Sequence, residues 1–204
     1  MRSGRIWADM SESSTEERLV EEAVEAIGAG RPVVLPTDTV YGLCTTPLAP
    51  ESLSRLKGRG ADQPIALLAS EVDILLELVP ELPEAILRSL LPGRLTLIFA
   101  NPERRFPLLS PLGTIGVRVP ELGGAARRIV TRAGAVAATS ANLHGGPDPK
   151  RLDDVPGEIR EHSVLIDGGE LPGRPSTVVE LTGPQPKILR EGAVPAAEVL
   201  ARLA

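Results

Sequence analysis

Aromatic residues are scarce: one Trp, one Tyr and two Phe make up 2% of the 204-residue chain. With so few flat rings there is little material for stacking bases, which argues against a single-stranded nucleic-acid reader built on aromatic platforms. Cysteine is scarcer still. The lone Cys44 excludes an intramolecular disulfide framework and points to a reducing compartment; with only two histidines, His144 and His162, far apart in sequence, a His/Cys zinc cluster is not expected. There is no excess of positive charge either, because 22 Lys+Arg against 27 Asp+Glu leave a net charge of −5. The surface as a whole does not trap polyanions, so any nucleotide or RNA contact must be local. No apolar run reaches membrane-spanning length, and the stretch from Met1 to Ser14 lacks the apolar centre of a secretory signal. We therefore expect a soluble cytoplasmic protein with no membrane partner.

Aliphatic residues fill the gap. Hydrophobic side chains form 42% of the chain, while 20 Gly and 20 Pro require frequent turns. This is too aliphatic for a disordered Pro/Gly chain and enough for one sizeable core. We expect a loose tail over residues 1–13 and a single domain over 14–204. Ser14-Thr15-Glu16-Glu17 has capping-box spacing, and Leu19, Val20, Ala23, Val24 and Ile27 then recur on one helical face. Pro32 to Leu35, Ile65 to Leu68, Leu95 to Phe99, Ile115 to Val119 and Val136 to Ala138 read as strands, with helices at Glu51 to Lys57, Val72 to Leu78 and Ala125 to Ala133. Three closely spaced strands (Val164 to Ile166, Thr177 to Val179, Ile188 to Leu189) and a terminal helix from Ala196 follow. The polar stretch Pro147 to Glu161 reads as a surface excursion rather than a domain boundary. Strands and helices mix throughout rather than segregating, so the class is α/β (α+β) with a mixed sheet.

The common signatures of chemistry are silent: there is no Walker loop, Rossmann fingerprint, HExxH helix or Gly-x-Ser-x-Gly elbow. Four polar clusters remain, each at the end of a strand candidate, where an open sheet gathers ligands. Thr37-Asp38-Thr39 places two hydroxyls and a carboxylate within three residues, and alternation puts Asp38 opposite the two threonines; alone, it is as readily a local turn device. Lys57-Gly58-Arg59 flanks a glycine with cations, as a phosphate site or a solvated turn would. Thr114, Gly116 and Arg118 share one face of an apolar strand, so Arg118 needs an anionic partner or water. Thr139-Ser140-Ala141-Asn142 offers either an anion-accepting turn or an ordinary helix cap. Ser176 and Arg190 add a hydroxyl and a cation near the end. Local cations in an acidic chain fit a polyphosphate or a phosphate-plus-carboxylate ligand.

Taken in order, Pro36-Thr-Asp-Thr-Val-Tyr-Gly42, Lys57-Gly-Arg59, Pro92-Gly-Arg-Leu-Thr96, Gly116-Val-Arg-Val-Pro120, Thr139-Ser-Ala-Asn142, Ser176-Thr-Val-Val179 and Leu189-Arg-Glu-Gly192 resemble the YrdC/Sua5 family, the threonylcarbamoyl-AMP synthases. The resemblance runs from about Gly30 to Val194. It implies a twisted open mixed sheet with flanking helices around a basic cavity. It also implies the joining of L-threonine, bicarbonate and ATP into threonylcarbamoyl-adenylate and pyrophosphate, for modification of adenosine 37 in tRNAs reading codons that begin with A. Thr39, Arg118, Ala138 and Ser176 would contact threonine. Lys57, Arg59, Gln63, Thr114, Ser140, Asn142, Asp148 and Arg190 would bind ATP, with Lys57 and Arg59 positioning its phosphates. No protein metal site and no organic cofactor are implied, Mg²⁺ riding on the ATP phosphates. The partners implied are the tRNA threonylcarbamoyl-transfer proteins, with at most a weak local RNA contact.

No general base is assigned; Asp38 is nearest, but alternation turns it away. The chain departs from the family pattern at Cys44, Gly60, Gln63 and His144, at Leu68, where some members use histidine, and in a shortened segment between Cys44 and Lys57. A diverged relative that binds nucleotide or RNA without threonine-dependent turnover is the alternative, and an enzyme making another carbamoyl-adenylate is a third.

Overall fold

The computed structural model describes residues 3–58, 64–110 and 113–203, with side chains from Ser14 onward. In chain order the elements are α1 (Ser3–Gly28), β1 (Val33–Leu35), β2 (Gly42–Thr45), α2 (Glu51–Lys57), β3 (Ala66–Ala69), α3 (Val72–Leu78), α4 (Glu84–Leu90), β4 (Leu95–Ala100), β5 (Thr114–Arg118), α5 (Gly124–Ala133), β6 (Ala135–Ser140), a 3₁₀ turn (Leu152–Asp154), α6 (Gly157–Glu161), β7 (Val164–Leu165), β8 (Thr177–Glu180), β9 (Lys187–Arg190) and α7 (Ala196–Leu203). The strands form one mixed sheet in the order β7-β1-β2-β6-β3-β5-β4-β8-β9. The expected class, a mixed sheet with flanking helices, is what the chain adopts.

The two faces of the sheet follow from side-chain alternation. In β4, Leu95, Leu97 and Phe99 are buried, while Thr96 and Ile98 are half-buried on the opposite side. The first face carries Leu43, Leu67, Leu97, Val117, Ala137 and Val179, and helices α3, α4 and α7 cover it through Leu75, Leu87 and Val199. Each such buried aliphatic side chain contributes about 1.5–3 kcal/mol, so a core with only Tyr41 and Phe99 as buried aromatics among the described residues is still well driven.

The second face is covered over only part of its width. There α1 and α5 pack together through Val20, Ala23, Ile129 and Val130 over Val33, Leu35, Leu68 and Val136. The capping-box sequence at Ser14 lies inside α1 instead of opening it, because the helix extends back to Ser3. Its acids instead tie α1 to α5, Glu16 and Glu17 pairing with Arg128 at 2.5 and 3.1 Å, and Glu17 also with Arg132 at 2.5 Å.

Beyond this helical cover the same face is paved with small residues. Register aligns Gly42 with Ser140, Cys44 with Ala138, Ala138 with Ala66, Ala66 with Gly116, and Gly116 with Ile98. A floor of mostly small side chains, walled by longer residues on either side, is concave. The polar stretch around residues 147–161 contains the 3₁₀ turn and α6 and closes one margin of the core through Val155 and Ile159.

Candidate active site

The concavity has a volume of about 470 Å³, within the range of small-ligand pockets. Its polar residues fall into two groups at opposite ends. Strand β5 spans the floor from Thr114 to Arg118, four residue steps or roughly 13 Å. β3 pairs parallel with β5 but antiparallel with β6, so β5 and β6 run in opposite directions. Arg118 at the end of β5 and Ser140 at the end of β6 therefore sit at opposite ends of the cavity. The site thus lies across the face of the sheet, not at converging carboxyl ends of strands as the clusters suggested, because the sheet is mixed.

At one end lies Arg118, whose guanidinium is held from behind. Its Nη2 donates to Asp38 Oδ1 at 2.5 Å and to Thr39 Oγ1 at 2.8 Å. Burial pushes the Arg118 pKa down, the Asp38 carboxylate opposes this, and the neighbouring charge of Arg190 adds to the depression. The buried Nε has no hydrogen-bond partner among the described residues.

Residues 38–40 form a bend, so alternation alone does not place the Asp38 carboxylate. The Thr37 and Thr39 hydroxyls bond to each other at 3.0 Å, and Asp38 turns to Arg118. Thr37 lines the cavity, whereas Thr39 is fully buried and reaches it through Arg118. Tyr41 anchors this bend, its hydroxyl donating to Gly169 O at 2.8 Å and to Asp167 Oδ1 at 3.0 Å and accepting from Gly168 N.

Ser176 and Arg190 belong to the Arg118 end. Arg190 donates to Ser176 O at 3.0 Å and to Ser176 Oγ at 3.3 Å, and Ser176 Oγ meets Thr96 Oγ1 at 2.8 Å. The turn after Arg190 closes on this strand so tightly that a Cβ on Gly192 would lie 2.2 Å from Pro175 O, which only glycine permits. Thr96 is a site residue that sequence reasoning missed, although a hydroxyl among the aliphatics of β4 marks the face that turns from the core.

The other end is built on Lys57, the last residue of α2, where Gly58 in the left-handed conformation (φ 62°) turns the chain. Lys57 is buried, and its ammonium donates to Ser140 O at 2.6 Å, Asn142 O at 2.7 Å and Asn142 Oδ1 at 2.6 Å. Ser140 Oγ donates to the same Oδ1 at 2.7 Å, Asn142 Nδ2 donates to Gly146 O at 2.6 Å, and His144 N donates to Lys57 O at 3.0 Å. The 140–146 turn is thus shaped around one cation. Thr114 and Asp148 complete this end of the wall.

Between the ends lie Ala138, Gly116 and Cys44, and Leu68 pairs in register with Arg118 at its end. Burial pushes the Cys44 thiol up to about 12, against the pull of Arg118, so it is a neutral wall and not a nucleophile. Neither Cys44, Leu68 nor His144 carries a pattern that marks a site locally; only the register and the turn bring them to the cavity. Arg59, Gly60 and Gln63 lie outside the described residues. Among the described residues no three His, Cys, Asp or Glu side chains converge to hold a metal ion, and no helix is long and apolar enough to cross a membrane.

The arrangement is suited to a ligand with an anionic group at each end. Known proteins are similar to this chain in sequence and in fold. The sequence is 35% identical over 196 residues to the threonylcarbamoyl-AMP synthase of Pyrococcus abyssi, covering 90% of this chain and 57% of that protein. It is 31% identical to the human threonylcarbamoyl-AMP synthase, covering 89% of this chain and 70% of that one. The crystal structure of P. abyssi Sua5 complexed with L-threonine superposes with a TM-score of 0.79 at 31% identity, over 92% of this chain and 58% of that chain. Escherichia coli YciO superposes with a TM-score of 0.75 at 25% identity, over 90% of this chain and 93% of that chain. The Sua5/YciO/YrdC family, described as "Telomere recombination", matches residues 25–192, and the chain belongs to this family.

Proposed function

We propose that the chain is an L-threonylcarbamoyladenylate synthase, a nucleotidyltransferase serving tRNA threonylcarbamoyladenosine modification. The observation that carries this reading is a single cavity with a buried arginine at one end and a lysine-braced Ser140–Asn142 turn about four strand residues away. Arg118 takes the threonine carboxylate, with Thr39 behind it and Ala138 and Ser176 alongside. The Ser140–Asn142 turn, Thr114 and Asp148 face the nucleotide, which enters as its Mg²⁺ complex. Lys57 acts on the nucleotide mainly by shaping that turn, because its ammonium already donates three hydrogen bonds there.

The neutral threonine amine adds to the carbon of CO₂ with release of one proton, or to that of bicarbonate with release of water, to give the carbamate. A carbamate oxygen then attacks the α-phosphorus of ATP, the bond to the bridging oxygen breaks, and pyrophosphate leaves with that oxygen. As the carbamate oxygen gives its electron pair to phosphorus, negative charge builds on the phosphoryl oxygens and on the leaving pyrophosphate. Fixed cations and aligned donors therefore supply the acceleration, without a side-chain nucleophile. Arg190 lies at the Arg118 end of the cavity, on the side from which the carbamate attacks. The product is a mixed anhydride, which requires transfer proteins to carry its threonylcarbamoyl group to tRNA.

Incubation with ATP, L-threonine and labelled bicarbonate tests the reading, with serine and other amino acids as comparisons. Threonine-dependent pyrophosphate release and a labelled adenylate are expected. Arg118→Ala should weaken threonine use about 10- to 100-fold while largely sparing ATP binding. ATP binding with no threonine-dependent release would refute the synthase and favour a nucleotide-binding relative without turnover.

A further inference from the structure

We infer that Asp38 is a positioning residue for the amino-acid substrate, holding Arg118 in the orientation that receives the substrate carboxylate. This deepens the synthase reading and rests on it. Asp38 is not part of the cavity wall; its side chain is 4% exposed, against 11% for Arg118. Its two oxygens have separate partners. Oδ1 accepts from Arg118 Nη2 at 2.5 Å, and Oδ2 accepts from the backbone N–H of Glu121 at 3.2 Å. Asp38 therefore grips both the side chain that ends β5 and the backbone that leaves it.

The second acceptor on Nη2 is Thr39 Oγ1 at 2.8 Å, so that nitrogen is pinned on two sides. A planar guanidinium held in this way has its rotation fixed, and its remaining donors point in set directions. One of them, Nε, is buried without a partner among the described residues. The part of the Arg118 side chain that is exposed, 11%, faces the cavity, and there an arriving carboxylate meets the fixed guanidinium in a charge-assisted bond. The ion pair also keeps a charged guanidinium in a buried position, where burial alone lowers its pKa. General-base action does not fit, because both Asp38 oxygens already accept hydrogen bonds and one faces a cation.

Two variants of the full chain test this. Asp38→Asn keeps the shape but leaves one acceptor oxygen for two donors, and Asp38→Ala removes both acceptors. Each is titrated calorimetrically with L-threonine and, separately, with ATP, its melting temperature is recorded, and KM is measured for both substrates. The threonine Kd and KM should weaken about 10- to 100-fold in Asp38→Ala and less in Asp38→Asn, with ATP affinity within twofold of the unaltered chain. Should the alanine variant not fold, the asparagine variant decides, with at least a threefold threonine-specific loss expected. Threonine affinity within twofold of the unaltered chain, or parallel losses for threonine and ATP, overturns the inference. Threonine binding without turnover in the unaltered chain refutes the synthase while leaving Asp38 to be judged on binding. No threonine binding in the unaltered chain overturns both.

Discussion

Replacing Lys57 by methionine tests whether one buried cation shapes the nucleotide end of the cavity. The substitution keeps most of the apolar stem and deletes an ammonium that is bonded at 2.6–2.7 Å to Ser140 O, Asn142 O and Asn142 Oδ1. Of these acceptors, Asn142 Oδ1 keeps a donor in Ser140 Oγ, so the loss falls chiefly on the two carbonyls. At about 1–3 kcal/mol for each acceptor left unsatisfied, and with some relief from no longer burying a charge, the fold should lose about 2–4 kcal/mol. Urea unfolding should show this as a midpoint lowered by about 1 M or more. Calorimetry should show ATP binding weakened at least tenfold as the turn loosens. Asn142→Ala removes the other side of the same clasp. The double variant should therefore lose less than the two single losses together, with a coupling of about 1 kcal/mol or more. A stability change below about 0.5 kcal/mol, with ATP affinity unaltered, would show that the turn holds its shape without Lys57.

The floor and the thiol give two further tests. A Cβ on Gly116 would meet nothing closer than 3.9 Å, so Gly116→Val should fold, but its methyl groups would stand in the cavity. Turnover should fall by at least about tenfold with a nearly unchanged melting temperature; unchanged turnover would place the reaction elsewhere. Cys44, with its thiol raised from 9.0 to about 12, should resist alkylation at pH 8 in the native protein and react at least about a hundred times faster after unfolding. Because its folded pKa is raised, its contribution to stability is complete below pH 9 and declines between pH 9 and about 12, by roughly 1.4 kcal/mol per pH unit. Unfolding titrations across that range should show this slope, reduced in Cys44→Ala; equal slopes would refute the assignment.

Much of the scaffold is legible in the sequence because alternation is a local property. Leu95, Leu97 and Phe99 point one way and Thr96 and Ile98 the other, so β4 can be read directly, as can the polar face of Thr114, Gly116 and Arg118. Strand β2 is harder. All four of its residues are buried, so Gly42 to Thr45 shows no alternation to read. Alternation groups Thr37 with Thr39 and turns Asp38 from the cavity, but it cannot show that Asp38 reaches Arg118, since a rule for extended chains does not describe a bend. Lys57 lines the cavity, but its hydrogen bonds to two backbone carbonyls and an amide oxygen more than 80 residues away have no signal in the local sequence.

By itself, then, the sequence determined the class of fold, the aliphatic core, the family and most of the polar residues around the cavity, because each is carried by short-range pattern or by motif order. Tertiary structure alone decided where those residues stand. The strand directions put Arg118 and Ser140 at opposite ends of the floor, and small residues in register opened the space between them. Long-range hydrogen bonds tie Asp38 to Arg118 from behind the cavity wall, and tie Lys57, which stands on that wall, to the 140–142 turn. Pairing register and buried polar contacts join segments distant along the chain, and no local pattern encodes them.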